Sequence, residues 1–267
     1  MPRFPAASPA CRPAVTLGLV LALAWLGVAW AAPAVAAEAP DVQAIMRRID
    51  RLWRGDTSHA VMTMVVRTRH YERNMTMEAW SRGKDESLVQ IEAPVKDRGV
   101  ATLKVGQNIW NYFPKINRVT KVPPSMMMGS WMGSHFTNDD LVKESSYEED
   151  YTYELTFHGR REGRAVYEVT LTPRPEAAVV WGKVTMEVTQ DALMPLEFRY
   201  FDEDGRLVRR MTFDDPRRFG DRTVPARLVM RPEDKPEEST TVIYEELTFD
   251  VKLPPDLFSL RSLRQGR

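Results

Sequence analysis

The stretch VMTMVVRTRHYERNMTMEAW, residues 61–80, decides the fold of this chain. Met62, Met64 and Val66 occupy every second position, and Met75 and Met77 begin a second run with the same spacing. Successive side chains of a β-strand point to opposite faces, so a period of two indicates a strand with one buried face. The two runs therefore predict two such strands, one after the other in the chain.

The same period continues through most of the chain. Turn signals separate the runs at residues 82–84, 159–160, 202–205 and 214–216. Further strand candidates are residues 87–92, 101–105, 108–113, 118–121, 151–158, 164–172, 182–189, 196–202, 207–213, 223–230 and 240–250. Eleven to thirteen short strands in one line of hairpins predict a mainly β fold with a meandering antiparallel sheet. A sheet of this width curls, because strand twist accumulates.

A curled sheet needs something on its inner side, and four segments are candidates. Residues 41–54 show helical spacing of apolar residues, and Gly55 is a plausible stop. A short helix is predicted at about residues 138–145, with Asn138 or Asp139 as its N-cap. The tail, residues 255–263, reads as a final helical turn with Leu257, Phe258 and Leu260 facing inward. The fourth candidate is a methionine-rich loop.

That loop, VPPSMMMGSWMGSHFTNDDL (residues 122–141), combines four methionines with a tryptophan and a phenylalanine. So apolar a loop must cover or dock on something. Methionine is flexible and polarizable, so a cluster of it suits a surface that accepts variable apolar shapes. One interpretation is a lid or docking loop, and the other is a loop that fills the protein's own core.

The N-terminus has the pattern of an export signal. Arg3 and Arg12 precede an almost uninterrupted apolar run at residues 15–30, and small residues at 34–36 suit signal peptidase. We expect residues 1–36 to be a cleaved signal peptide and residues 37–267 to form a single domain in the periplasm. An uncleaved membrane anchor is the alternative. Cleavage would remove the single cysteine, Cys11, so the exported domain would be held by its core alone.

The chain lacks the motifs of common catalytic and metal sites. The four histidines, His59, His70, His135 and His158, are not spaced as metal ligands, and no nucleophile elbow or phosphate-binding glycine loop is present. His135 precedes Asp139 and Asp140, but a histidine near a helix cap is more often structural. After cleavage the net charge would be about −2, which argues against nucleic acid as a partner. We therefore expect no enzyme activity, no cofactor and no metal.

Two segments resemble a known family. PVKDRGVATLKVGQNIWNYFPKINRVTKV (residues 94–122) and MGSWMGSHFTNDDLV (residues 128–142) are similar to the outer membrane lipoprotein-sorting protein family, distant relatives of the periplasmic lipoprotein carrier LolA. The resemblance covers about residues 42–263. It implies a half-open antiparallel β barrel, here of about 11 strands, with helices and a loop over its concave face. It also implies that the protein binds lipid or acylated protein without catalysis, together with an inner-membrane RND/MMPL or ABC exporter.

These patterns predict an apolar interior that is left vacant for a ligand. By alternation, the predicted lining of this lipid-binding cavity is Met62, Met64, Met75, Met77, Ile109, Phe113, Tyr153, Leu155, Phe157, Met186, Phe198 and Met211. The predicted lid or docking loop consists of Met126, Met127, Met128, Trp131, Met132 and Phe136. A register slip of one residue would swap the faces of a strand. Ordinary core filling is the alternative role for the strand methionines.

Two functions remain open at this point. The first is a carrier that passes lipid or lipoprotein acyl chains between membranes. The second is an accessory or sensor subunit that binds an exporter or another membrane protein without ferrying cargo. In either case we expect a monomer. The cargo, its donor, its acceptor and the direction of transport are not encoded in any motif of the chain.

Overall fold

A computed structural model describes residues 40–143, 147–177 and 179–265 of the chain. The chain divides into two units, and the first, residues 1–39, lies outside the described residues. The signal peptide and its cleavage site therefore stay predictions. The second unit contains all the elements that follow.

Thirteen strands form one antiparallel sheet. The strands are Thr57–Arg67 (β1), Glu72–Arg82 (β2), Glu86–Ala93 (β3), Ala101–Val105 (β4), Asn108–Phe113 (β5), Arg118–Lys121 (β6), Tyr151–Arg161 (β7), Arg164–Pro173 (β8), Lys183–Thr189 (β9), Pro195–Phe201 (β10), Leu207–Phe219 (β11), Arg222–Pro232 (β12) and Ser239–Phe249 (β13). Their order in the sheet is β6-β5-β4-β3-β2-β1-β13-β12-β11-β10-β9-β8-β7. The first and last strands of this order, β6 and β7, do not pair, so the sheet stays open. The mainly β fold and the half-open antiparallel architecture are confirmed, with thirteen strands where about eleven were expected.

The alternation of residues 61–80 produces the buried face of this sheet. Met62 lies opposite Met77, and Met64 lies opposite Met75, in the register of β1 and β2. All four side chains are at most 7% exposed. Burial of side chains this large stabilises each strand by roughly 1.5–3 kcal/mol per residue, which fixes the register.

Four helices accompany the sheet: Val42–Arg51 (α1), Asn138–Lys143 (α2), Tyr147–Asp150 (α3) and Leu260–Gln265 (α4). The side chain of Asp41 caps α1 by accepting the Gln43 N–H at 2.9 Å, and Ile45 and Ile49 are buried against the sheet. Gly55 follows with a φ of +60°, which suits the predicted stop. None of the helices in the described part of the chain is long and apolar enough to cross a membrane.

The N-cap of α2 is Thr137, so the prediction of Asn138 or Asp139 is wrong. The Thr137 hydroxyl accepts the Asp140 N–H at 3.1 Å, and the Asp140 carboxylate accepts the Thr137 N–H at 2.7 Å. This reciprocal pair is a capping box. Asn138 instead donates from its amide to the carbonyls of Met126 and Gly129, both at 3.1 Å, and so fastens the preceding loop.

Two predicted turns lie inside strands. Strand β11 runs through residues 214–216, because Asp215 takes a φ of +55° and bends the strand without reversing it. Pro216 faces Pro225 there, where neither residue could donate to the ladder. Strand β7 likewise passes residues 159–160, and the chain turns at Glu162 and residue 163, which both have positive φ.

The tail follows the prediction in part. Leu257 and Phe258 are buried, whereas Leu260 is 41% exposed. Helix α4 begins only at Leu260, so helical spacing does not extend back to Leu257. Leu263 provides the buried contact in place of Leu260.

Candidate functional site

Most of the interior is filled by the protein itself. Helix α1 contributes Ile45 and Ile49 to one cluster of buried side chains, and Trp131 and Phe136 enter the same cluster from the other side. Met64, at 0% exposure, lies at its centre. The predicted vacant interior is therefore reduced to smaller cavities.

The cavity that is lined by Met62 and Met77, which we call the main cavity, has a volume of about 220 Å³ and lies over strands β1, β2 and β3; larger clefts of about 910 and 1010 Å³ lie elsewhere. Ala60 and Ala79 face each other across β1 and β2, and Met62 and Met77 form the next pair. Two alanines opposite each other leave room that larger residues would fill. Leu247 and Val242 of β13 extend the apolar wall.

Trp131 and Phe136 form the roof of this cavity. They belong to residues 122–143, which we call the covering segment. The indole N–H of Trp131 donates to the Thr102 hydroxyl at 3.0 Å, and its backbone N–H donates to the Phe136 carbonyl at 2.8 Å. Both rings are less than a tenth exposed, so they are held at fixed positions above the sheet.

The mouth of the cavity is polar. The hydroxyls of Ser58 and Ser81 are 2.7 Å apart and lie just beyond the alanine pair. Arg54, Lys84 and Lys104 also reach the cavity wall. The mouth therefore joins an apolar interior to hydroxyl and cationic groups, an arrangement typical of sites for amphiphilic ligands.

A second cavity of about 140 Å³ adjoins the first. Trp53, Arg54, Leu228 and Tyr244 line both cavities, so these side chains divide them. Trp53 is the largest of the four. Its ring stacks on Phe213 with centroids 5.6 Å apart, and its N–H donates to the Pro225 carbonyl at 3.1 Å.

A buried ion pair holds the covering segment to the sheet. Arg209 of β11 donates to Asp140 of α2 through two nitrogens, one at 2.9 Å, and both side chains are about a tenth exposed or less. The guanidinium carbon of Arg209 lies 4.4 and 4.5 Å from the ring centroids of Trp181 and Tyr200, which contact each other. Burial is the largest influence on the pKa of Arg209 and acts to lower it, but the charge of Asp140 and the hydrogen bond to its carboxylate, with the two nearby tyrosines, together raise that pKa. The group is therefore a permanent cation.

His135 forms a second attachment. One ring nitrogen lies 2.8 Å from the Thr240 hydroxyl, and the other lies 3.2 Å from a carboxylate oxygen of Glu238. The Arg69 backbone N–H and the His135 ring together hold the pKa of Glu238 below its ordinary value. His135 thus has a structural role, and no group of three or more possible metal ligands occurs among the residues described.

The predicted lining residues fall into three groups. Those in the large buried cluster or packed against it are Met62, Met64, Met75, Met77, Met186, Phe198, Met211, Tyr153 and Leu155. Of these, Met62 and Met77 line the main cavity, and Phe198 and Met211 line the second. Ile109 is buried in a separate small cluster with Val122. Phe157 is half-buried beneath Arg161 at 4.1 Å, and Phe113 is 41% exposed.

The predicted lid residues also divide. Trp131 and Phe136 roof the main cavity. Met132 packs against the large cluster, and Met127 packs beside Ile109. Met126 and Met128 are 59% and 47% exposed. The segment therefore fills the core with its aromatic residues and presents methionines to solvent.

The sequence analysis missed the residues that make the cavity. Ala60, Ala79, Ser58 and Ser81 are small, and small side chains carry no periodic apolar signal. Their significance depends on register, because each pair is aligned across β1 and β2. Pairs of small residues at equal distances from the β1–β2 turn are the sequence pattern that could have predicted this cavity.

Comparison with known proteins places the chain among proteins of the same fold. A family model described as "Uncharacterized protein" matches residues 83–265. No curated protein matches the chain.

Three solved structures share the architecture over most of their length. A LolA superfamily protein from Nitrosomonas europaea has 20% identity and a TM-score of 0.71, covering 84% of this chain and 100% of the other. A DUF1329 family protein from Desulfovibrio piger has 20% identity and a TM-score of 0.73, with coverage of 82% and 96%. A domain described as an outer membrane lipoprotein-sorting protein, from Vibrio parahaemolyticus, has 20% identity and a TM-score of 0.71, with coverage of 83% and 97%. At this identity the likeness establishes the fold.

Proposed function

We propose that this chain, which belongs to the family whose model matches residues 83–265 and shares the fold of a LolA superfamily protein, is a non-catalytic carrier that shields lipid or lipoprotein acyl chains from water. The observation that carries the proposal is the apolar cavity between the Ala60–Ala79 pair and the roof of Trp131 and Phe136.

The energetics of acyl chains explain why such a cavity is useful. Moving an acyl chain from a bilayer into water costs about 0.8 kcal/mol per methylene, so a chain of about sixteen carbons costs roughly 13 kcal/mol. Unaided crossing of an aqueous compartment is then negligible. A cavity lined by methionine, alanine and aromatic side chains recovers much of this energy without directional contacts, which permits release.

The polar mouth fits the remainder of such a ligand. Ser58 and Ser81 contribute hydroxyls, and Lys84 and Arg54, which pair with Glu149 and Asp50, contribute N–H donors. An ester or phosphate at the head of an acyl chain would accept hydrogen bonds from these groups while the chain enters between the alanines.

Capacity sets a condition on the mechanism. The main cavity is smaller than the range of about 300–1,000 Å³ that is typical of small-molecule sites, and the two cavities together reach its lower end. A carrier with long cargo must therefore displace Trp53 or lift part of the covering segment.

The setting of this function is the cell envelope. The export pattern of residues 1–36 and the lipoprotein-sorting description of one structural neighbour support a periplasmic location. An inner-membrane exporter of the RND/MMPL or ABC type is the partner that we propose to load or unload the carrier.

One observation favours a second candidate, an accessory or sensor subunit. The large buried cluster fills most of the interior, and a protein that only binds a membrane protein needs no vacancy. The two candidates predict different contents for the cavity.

Native mass spectrometry of the protein purified without detergent distinguishes them. We expect co-purifying lipid or acylated peptide, and we expect Ala79→Trp to lose it, because the indole would fill the cavity with apolar atoms. Met77→Asp should lose it as well, since a buried unpaired charge is costly.

Thr63→Asp is the matched control, because Thr63 neighbours Met62 on the opposite face of β1. This variant should keep its ligand. If wild-type protein carries nothing and takes up no added fatty acid, or if the folded Ala79→Trp variant binds as well as wild type, the carrier proposal fails.

A further inference from the structure

One end of the sheet carries exposed apolar residues on three successive connections. These are the β1–β2 turn, the β3–β4 loop and the β5–β6 turn, which we call the three tips. Tyr71, Val95 and Ile116 are their exposed apolar residues, at 48%, 78% and 66% exposure. The antiparallel order of β1 to β6 places all three connections at the same end.

Contacts join the three tips into one surface. Arg73, beside the first tip, pairs with Asp97 of the second at 3.0 Å. The ring of Pro114 in the third tip packs on the backbone of Gly99 in the second. Val95 and Ile116 therefore project from a connected surface, whereas the half-exposed Tyr71 ring is held by a hydrogen bond from its hydroxyl to the Gly133 carbonyl at 3.2 Å. The opposite end differs, since its turns at residues 83–85 and 106–107 contain no large apolar residue.

Positive charge surrounds the apolar residues. Lys96, Lys115 and Arg118 lie on or next to the tips, and all three are exposed. Nearby carboxylates are already paired, Asp97 with Arg73 and Glu72 with Arg67. The three cations have no such partner among the residues that the structure describes.

We propose that the three tips dock the protein onto an anionic phospholipid surface. Lipid headgroups with negative charge attract exposed lysine and arginine, and the apolar side chains between them can enter the boundary of the acyl chains. Exposed apolar side chains with a cationic rim match this layered surface, in which anionic headgroups lie over an apolar interior.

The rest of the same end sets the orientation. The connections at residues 202–206 and 233–238 are rich in acid; Asp204 pairs with Arg206, and Glu237 pairs with Arg69 of the first tip. The other acids of these connections would be repelled by an anionic surface. Because the 233–238 connection adjoins the first tip, the protein would stand mainly on the second and third tips, which carry Lys96, Lys115 and Arg118.

Vesicle sedimentation tests this surface. The chain is recovered from the periplasm of an expressing bacterium and mixed with vesicles of phosphatidylcholine alone or with phosphatidylglycerol added. We expect binding only to the anionic vesicles, and we expect it to weaken with salt. Lys96→Gln, Lys115→Gln and Arg118→Gln together should reduce partitioning about 100-fold, since each cation near such a surface contributes about 1 kcal/mol.

Three comparisons separate this surface from the effect of general charge. Lys252→Gln, Arg261→Gln and Arg264→Gln remove three exposed cations from the C-terminal tail and should leave binding unchanged. Val95→Ser with Ile116→Ser should weaken binding about tenfold. Asp204→Lys with Asp234→Lys should strengthen it.

Absence of binding to anionic vesicles, or equal loss in the tip and tail variants, would overturn the proposal. So would a change from dimer to monomer in the Ile116→Ser variant, which would identify a second copy of the chain as the occupant. The inference does not depend on cargo, because vesicle binding is measured whether or not the cavity holds a ligand.

Discussion

Replacing Asp140 with asparagine should markedly lower the urea concentration at which half of the protein is unfolded. Asp140 and Arg209 are side chains about a tenth exposed or less, and one of their contacts is 2.9 Å long. Removing one partner of a buried ion pair costs about 3–5 kcal/mol, because the other charge stays buried alone. The rings of Trp181 and Tyr200 still face the guanidinium, so we expect a value of about 3 kcal/mol, at the lower end.

Urea unfolding measures this loss. With a slope of about 3 kcal/mol per molar, as suits a large single domain, the midpoint should fall by about 1 M. Asp214→Asn is the control, because its pair with Arg227 is nearly half exposed and should contribute less than about 1 kcal/mol. Adding Arg209→Met to Asp140→Asn should restore at least half of the stability. A midpoint for Asp140→Asn no lower than that of Asp214→Asn would refute the reasoning.

Three further predictions concern the cavities, the covering segment and one loop. Trp53→Leu should join the two cavities and raise uptake of a fluorescent fatty acid. The lost hydrogen bond should lower the free energy of unfolding by about 1–2 kcal/mol. Trp110→Leu is the control and should leave uptake unchanged. The lowered pKa of Glu238 means that its carboxylate stabilises the fold above its unfolded pKa and that this contribution is lost as pH falls through the folded-state pKa. The Tm difference between wild type and Glu238→Gln should therefore be largest near neutral pH, begin to shrink at about pH 4.3 and vanish only below the lowered pKa of the folded protein, and a constant difference would contradict this. Gly182→Ala should lower the thermal midpoint, because its Cβ would lie 2.5 Å from the Asp202 carbonyl oxygen, and an unchanged midpoint would count against that clash.

The local chemistry of the strands was readable from the sequence. Residues 101–105, 108–113 and 118–121 have the predicted bounds, because turn residues and alternation coincide there. The turn that was wrongly predicted at residues 214–216 shows the limit of such signals. Aspartate and proline favour a turn, but pairing with β12 supports a bent strand, and the chain reverses only after Phe219.

The site was less predictable, because it depends on which residues face each other across neighbouring strands. Met62 and Met77 were expected at the cavity, and both line it, yet the space itself comes from Ala60 and Ala79. The ion pair of Asp140 and Arg209 joins residues 69 positions apart, a distance that local pattern does not reach. Whether the lining residues hold a ligand stays a prediction.

Strands β6 and β7 do not pair with each other, so no closed ladder of hydrogen bonds fixes the width of the interior. A closed cylinder can swell only by breaking a hydrogen-bonded ladder along its whole height. Here the rims at β6 and β7 can move apart while every strand pair stays intact. Within the described part of the chain, the packing of α1 and the covering segment resists the movement, together with the Arg209–Asp140 ion pair. In the proposed carrier, the interior could therefore widen around a large ligand and narrow after its release without the loss of a strand pair.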